Sequence, residues 1–529
     1  MAFLYSKIFF VLLLAAPLLV HAANNSAMDS SGKNNLGVKK LYKEHCASCH
    51  KESRLGAMGP AMLPGNLKRL KKKQAEAVIA NGRIASQMPG LADKLNTQQI
   101  KQLVEYIYSP LGYIPEWGLD EINASHIVHF KNSELKDKPQ YSADPLNLFV
   151  VVEIGDHHAT ILDGDKFEPM HRFKTRFALH GGPKYSPHGR FVYFASRDGW
   201  VSKFDMYNFK TVVEVRAGIN TRNLAISADG RYIMVGNYLP HSVVILDARD
   251  LSPIKLIDVK DKQGKSSRVS AVYTAPPRNS FIVALKDVTE VWEISYLDKP
   301  EPVAEGYIHD YRYQEGFMDN RRFPVRRIQL DDYLDDFFFD QRYQHLIGAA
   351  RNNKNGQVIN LIVGKKIADL QLQGMPHLGS GISWQYQGKN IMATPNLKTG
   401  EVSLIDMDNW KTFKQIKTLG PGFFMRSHKN SDYAWVDVFF GPNKDAVHII
   451  DKKTLKIIKT LRPAPGKTAA HVEFDRDGRH AILSIWDEDG AIIIYDAKTL
   501  QEIKRLPMNK PSGKYNVYNK INYATGTSH

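Results

Sequence analysis

The chain has 529 residues, a formal net charge of +16, 43% hydrophobic residues and 24% charged ones. That composition supports more than one packed domain and excludes a disordered chain. The lysines and arginines are scattered and no nucleic-acid motif accompanies them, so the positive balance suits anionic ligands and acidic redox partners, not nucleic acid.

The N-terminus, "MAFLYSKIFFVLLLAAPLLVHAANN", places Lys7 before an apolar run from Ile8 to Val20, followed by small residues around Ala22 and Ala23. This is the layout of a secretory signal peptide, here residues 1–23. The run is short for a bilayer span of about 20 residues, and no later stretch is long and apolar enough to replace it. The mature protein is therefore expected in an exported compartment with no membrane span. Export permits disulfides, but the only two cysteines share one Cys-x-x-Cys and cannot build a framework.

Residues 24–112 read as a cytochrome c domain. "CASCH" supplies Cys46 and Cys49 for thioether bonds to a heme, with His50 beneath the iron as axial ligand. A thiol redox pair would follow a strand, and a zinc site would need further paired ligands; neither context is present. "VKKLYKEHCASCH", "QAEAVIANGR" and "NTQQIKQLVEYIYSP" are helical in period, the last with Asn96 as N-cap and Ile100, Leu103, Val104 and Ile107 on one face. The pattern resembles a small all-α class I cytochrome c. In such domains a Met-Pro loop carries the sixth ligand, which suggests Met88, with Met58 and Met62 as rivals. A His/Met pair suits electron transfer.

Prolines in "SPLGYIPEWG" open a linker over residues 113–139, and from residue 140 to 529 the texture becomes β. Turns centred on Asp163, Asp205 and Asp247 recur every 42 residues; those on Asp406, Asp451 and Asp496 recur every 45. Gly189 and Gly230 mark a second repeat, in "SPHGRF" and "SADGRY", and "DRDGRH" repeats it near the end. Periods of this length predict an all-β propeller, whereas stacked sandwich domains would repeat near ~100 residues. About 390 residues at this period make eight blades, with ligands expected at the mouth of a central funnel.

On these segments the sequence resembles the cytochrome cd1 family over nearly its whole mature length. "ALHGGPKYSPHGRFVYFASRDGWVSKFDMYN" resembles the family's segment bearing the heme d1 ligand, so His180 would bind the tetrapyrrole iron. "INTRNLAISADGRY", "GNYLPHSVVILD", "HAILSIWDEDG" and "PSGKYNVYNKI" resemble later family stretches. Nitrite reductases of the family carry two distal histidines. "MPHLGSGISW" makes His377 the counterpart of one of them. At the other position Asp335 or Asp336 stands, His345 lies further along the strand, and the arginine that follows the retained histidine is missing. "GDHHATILDG", "RFALHGGPK" and "NKINYATGTSH" look more like the branch that completes heme d1 by oxidising a propionate to an acrylate.

That resemblance implies a periplasmic dehydrogenase with one covalent heme c and dihydro-heme d1 or heme d1 bound non-covalently. The alternatives are a nitrite reductase or a heme d1 carrier. Removing hydrogens from adjacent carbons needs a base and an electron sink. Among side chains whose pKa lies near neutrality, His377 is the first candidate base and His471 the second. Arg197, Arg222 and Tyr238 are expected to bind carboxylates, and Trp486 to pack on the macrocycle. His157 and His158 are further pocket candidates. The implied partners are the tetrapyrrole, a periplasmic acceptor such as a small cytochrome c or cupredoxin, and a nitrite reductase receiving the product.

Overall fold

The computed structural model describes residues 26–83, 88–179, 181–305, 317–319, 321–349, 355–372 and 375–522. Residues 1–23, expected to be a signal peptide, and His180 lie outside these. Helices Ser26–His45, Ala47–His50, Lys72–Asn81 and Thr97–Tyr108 form the N-terminal unit. Its core joins Val38, Tyr42, Leu67, Ile79, Leu91, Leu103 and Val104. Asn96 caps the last helix reciprocally: its Oδ1 accepts from Gln99 N and its own N–H donates to Gln99 Oε1, both at 2.9 Å.

Apart from a two-stranded ribbon, Val303–Glu305 with Phe317–Asp319, the remaining strands form an eight-bladed propeller, one antiparallel sheet per blade. The repeated aspartates close the hairpin between the third and fourth strands of their blades. Asp163 Oδ1 accepts from the N–H of Asp165 and Lys166, Asp451 Oδ1 from Lys453 and Thr454, and Asp496 Oδ1 from Lys498 and Thr499. Each is an Asx turn, in which a short carboxylate substitutes for a backbone acceptor. The repeated glycines, Gly189, Gly230 and Gly478, sit in the preceding hairpins at φ of 73°, 72° and 73°, a region costly for any side chain.

The ring closes by exchange between its ends. The C-terminal strand Pro511–Asn516 is the innermost strand of the blade whose other strands are Phe149–Glu153, His158–Leu162 and Pro169–Lys174. The exchange completes the four-stranded sheet of that blade and ties the two ends of the ring together. Blade interfaces are apolar, with Trp292 and Trp435 fully buried. Truncating either to alanine should cost about 3–5 kcal/mol.

The segment expected to link the two units is itself packed. Helix Leu119–Ala124 buries Ile122 against the second and third blades, and Ile127–Val128 adds a fifth strand to the second. Trp117 Nε1 donates to Arg216 O at 2.9 Å. Apolar Trp117, Ile122 and Leu135 give this segment enough surface to bury, which its prolines conceal in the sequence.

Candidate functional site

The cytochrome unit fits a covalent heme. His50 is buried, and its Nδ1 lies 2.7 Å from Pro60 O. A carbonyl can only accept, so Nδ1 carries the proton and Nε2 presents the lone pair that binds metal. Burial lowers the His50 pKa, which keeps the ring neutral as ligation requires. A side chain at Gly59 would overlap the His50 imidazole. Cys46 is the N-cap of the short helix Ala47–His50 and Cys49 lies within it; both are free thiols. Burial and its neighbour Cys49 push Cys46 up to about 11, the opposite of what a reactive redox thiolate needs. Met88, Met62 and Cys46 all pack against the same apolar cluster, so packing does not separate the two methionines. The Met88 loop is closed by Arg83 N–H donating to Met88 O at 3.1 Å.

The stretch after the heme motif docks on the propeller. Asn220 Nδ2 donates to Ala57 O at 3.2 Å, and Asn66 Nδ2 to Tyr238 O at 3.2 Å. Arg69 donates to Lys286 O, pairs with Asp335 at 3.2 Å and covers the Tyr333 ring at 4.0 Å. Ala61 and Leu63 form an apolar seam with Ile219 and Leu239. Ile219, Tyr238, Lys286 and Asp335 lie where innermost strands begin or second strands end, so one rim of the funnel carries the cytochrome.

On that rim His377 caps a single 3-10 turn, Leu378–Ser380, ahead of the innermost strand of the sixth blade. It lines a cavity with Arg222, Asp335, Asp336, Met375, Pro376 and Leu397. Its Nδ1 donates to Phe423 O at 2.7 Å, leaving Nε2 as the acceptor nitrogen, 3.7 Å from Asp336 Oδ2. His471 sits in the innermost strand of the eighth blade at φ 56°, left-handed for a non-glycine residue, where the strand register slips. Such strain is held only by surrounding structure and often marks a site. Its Nδ1 is buried without a hydrogen-bond partner. Burial first, then Lys514, Arg426 and Lys520, depress its pKa far below the usual value, so the ring is neutral.

One carboxylate joins the two histidines. Asp437 Oδ1 accepts from the N–H of Phe423 (2.7 Å) and Phe424 (3.0 Å), and Oδ2 from His471 N–H (3.2 Å). Phe423 in turn holds His377. Burial raises the Asp437 carboxyl to about 7 against those hydrogen bonds. Between them runs an aromatic wall. Phe423 lies 4.3 Å from His377, Phe424 4.7 Å from His471, and Tyr515 5.2 Å from His471, ring to ring. Trp486 extends the wall, packed on Phe439 at 5.0 Å. A flat apolar ligand fits such a wall.

The opposite arc is cationic. Arg197 and Arg268 lie 5.9 and 5.8 Å from the Tyr238 ring. Arg222 donates to Ser270 O at 2.8 Å. Burial alone would raise the Tyr238 phenol, but Lys286, Arg222, Arg197 and Arg268 outweigh it and bring it down to about 7. Asp287 and Asp335 offset Arg268 and Lys286 respectively, and cationic charge remains in excess. Deeper, burial, Lys520 and Arg426 lower Lys184 to about 7. Lys184 Nζ also donates to Gly181 O at 2.9 Å. Gly182 has room only for hydrogen, since a Cβ would lie 2.9 Å from the Tyr515 ring. Excess buried cations of this kind suit a ligand bearing several carboxylates.

His377, His471, Arg197, Arg222, Tyr238 and Trp486 thus share one rim. His157 and His158 lie in the hairpin between the second and third strands of the first blade: His157 packs on Phe177, and His158 lies 3.2 Å from Asp156. His345 bonds Asp340 at 2.9 Å and braces a blade hairpin, as His480 does with Asp475. Sequence reasoning missed Asp437, Lys286, Arg268 and Lys184. Their positions at strand ends were a usable signal, but burial, which makes them unusual, is invisible before folding.

A c-type cytochrome docked on a propeller whose funnel suits an anionic tetrapyrrole defines the class. Residues 143–520 match the family model of the cytochrome D1 heme domain, and residues 34–107 match that of cytochrome c oxidase, cbb3-type, subunit III. The chain belongs to the cytochrome D1 heme domain family. It is 55% identical over 489 residues to a dihydro-heme d1 dehydrogenase of Pseudomonas aeruginosa, covering 92% of this chain and 95% of that relative. A nitrite reductase of Stutzerimonas stutzeri is 24% identical, over 94% of this chain and 95% of the reductase. The solved structure of dihydro-heme d1 dehydrogenase NirN in complex with DHE superposes with a TM-score of 0.76 at 54% identity, covering 92% of this chain and 99% of that one.

Proposed function

We propose that the protein is an oxidoreductase that dehydrogenates a propionate side chain of dihydro-heme d1 to the acrylate of heme d1. The observation that carries this is the shared rim: two histidines, an aromatic wall and surplus cations lie against the docked cytochrome unit. The identity to the Pseudomonas enzyme supports it. The compartment is the periplasm, reached through the signal sequence, and among the described residues no helix is long and apolar enough to cross a membrane.

The reaction converts –CH2–CH2–COO⁻ to –CH=CH–COO⁻ and releases two protons and two electrons. His377 takes one proton at Nε2, the nitrogen its Phe423 bond leaves as acceptor. The second proton leaves to solvent, and His471, whose depressed pKa makes it the weaker proton acceptor, is the alternative base. Arg197, Arg222, Tyr238, Arg268 and Lys286 bind the macrocycle's carboxylates, and Trp486 with Phe423 and Phe424 packs on its face. His180 is assigned the tetrapyrrole iron; His50 and Met88 are assigned the heme c iron. Heme c, when bound, supplies one-electron redox chemistry. Arg69 and Asn66 hold its domain against the rim, and a small periplasmic cytochrome c or cupredoxin receives the electrons.

The test is an anaerobic incubation of holoprotein with dihydro-heme d1 and an oxidised acceptor. Heme d1 absorption bands should develop as the acceptor is reduced. Nitrite turnover without that conversion would indicate a reductase, and stable binding without either would indicate a carrier; both overturn the proposal.

A further inference from the structure

Among the described residues two arginines are buried, and they are satisfied differently. Arg268 pairs with Asp287 at 2.7 Å. Arg54, only 1% exposed, bonds to neutral oxygens and has no carboxylate partner. Its Nε and Nη2 donate to Met62 O at 3.0 and 2.9 Å. Nη2 also donates to Ile107 O at 2.9 Å and Ser109 O at 2.6 Å, and Nη1 to Ser109 Oγ at 3.2 Å. The Tyr106 ring lies 4.8 Å away. Burial, with Cys46 nearby, raises the Tyr42 phenol, so it stays protonated and supplies no counter-charge. Buried charges are ordinarily paired, and carbonyl dipoles solvate this one without cancelling it. The backbone here is left-handed, at φ 62°, a strain that the surrounding bonds hold.

The cation stands close to the heme site. Arg54 N–H donates to Lys51 O at 3.0 Å and Gly56 N–H to His50 O at 3.1 Å, so one tight turn separates it from the axial histidine. Tyr42 Oη donates to the same Lys51 O at 3.1 Å. We infer that Arg54 sets the redox poise of heme c. Ferric iron carries one more positive charge than ferrous iron, so a fixed cation in this unit favours the reduced state and raises the potential of the electron outlet. That the poise serves to drain electrons from the tetrapyrrole rests on the dehydrogenase reading. Arg54 touches no reacting atom; its N–H groups are committed to protein oxygens and it acts through its charge. A guanidinium keeps that charge at every accessible pH. A unit charge acting over ~12 Å through an effective dielectric of ~20 is worth about a tenfold change in an equilibrium constant. Ile107 O and Ser109 O lie at the C-terminus of the helix Thr97–Tyr108, whose dipole offsets about half a charge. The expected effect is therefore about threefold to tenfold.

The test is the midpoint potential of heme c in full-length, heme c-loaded protein without tetrapyrrole, by spectroelectrochemical titration. Arg54→Gln keeps N–H donors and removes the charge. Its potential should fall by about 30–60 mV, which is about threefold to tenfold for a one-electron couple, with the heme c absorption spectrum unchanged. Arg54→Lys keeps the charge and loses the fork. It should hold the wild-type potential near pH 6 and drift toward the glutamine value as pH rises, because a buried ammonium titrates where a guanidinium does not. The lysine series alone decides the matter if the glutamine variant folds poorly. Equal shifts in both variants at pH 6 would mark Arg54 as a strut and overturn the inference. So would an unshifted potential in Arg54→Gln, or a lysine variant that tracks wild type at every pH. Failure of dihydro-heme d1 to reduce heme c in the wild type overturns the dehydrogenase reading instead, with the Arg54 shift still measurable.

Discussion

Tetrapyrrole binding should weaken steeply as pH rises through neutrality. Two groups facing the funnel titrate there. Tyr238 is lowered to about 7, because Lys286, Arg222, Arg197 and Arg268 overcome its burial. Lys184 is lowered to about 7 by burial, Lys520 and Arg426. Below that pH the phenol is neutral and Lys184 is charged; above it the phenol is an anion and Lys184 is neutral. Each change lowers the net charge of a site that binds carboxylates by one. If the ligand binds only the form holding both protons, each group multiplies Kd by about tenfold between pH 6 and pH 8, and the two together by about 100-fold. Titrating holoprotein with dihydro-heme d1 by absorbance at fixed ionic strength measures this. Tyr238→Phe and Lys184→Met should each remove about half of the logarithmic slope, the second also weakening binding at pH 6. A Kd constant within twofold from pH 6 to 8 would refute the claim that these groups form the carboxylate site.

Gly59→Ala should abolish normal His50 ligation, since the added methyl overlaps the imidazole; an unchanged heme c absorption spectrum would contradict the fit. For Asp437→Asn, kcat should fall at least about tenfold, because one carboxylate supports both His471 and, through Phe423, His377. The same variant has a thermal signature. The raised Asp437 pKa contributes stability that is full below its unfolded value of about 4 and is lost as pH climbs toward 7. Wild-type Tm should therefore carry a downward component over that interval that Asp437→Asn removes; parallel Tm–pH curves would argue otherwise. Arg69→Ala should loosen the cytochrome unit and slow heme c reduction during single turnover, seen by stopped flow, with tetrapyrrole affinity nearly unchanged; an unaltered rate would show that Arg69 does not hold the redox geometry.

Much of the architecture is legible because it repeats. Asp163, Asp451 and Asp496 each close the same hairpin with the same side-chain-to-backbone bonds, so one local requirement imprints a period on the sequence. Cys46, Cys49 and His50 are legible because covalent attachment demands a fixed spacing. The funnel is less so. Asp437 looks like any strand-end aspartate, and its importance arises only when Phe423, Phe424 and His471 arrive from two other segments. His345 resembles a pocket residue by position along the chain, but Asp340 five residues earlier claims it for a hairpin. The choice between Asp335 and Asp336 is likewise tertiary, decided by Arg69 some 266 residues away.

The most direct test of the central claim is the mass of the tetrapyrrole recovered after a single anaerobic turnover with excess oxidised acceptor. The account predicts a product two hydrogens lighter than dihydro-heme d1, with two equivalents of acceptor reduced per molecule converted. Recovery of the tetrapyrrole at its starting mass, from protein that binds it and whose heme c is redox-active, would contradict it.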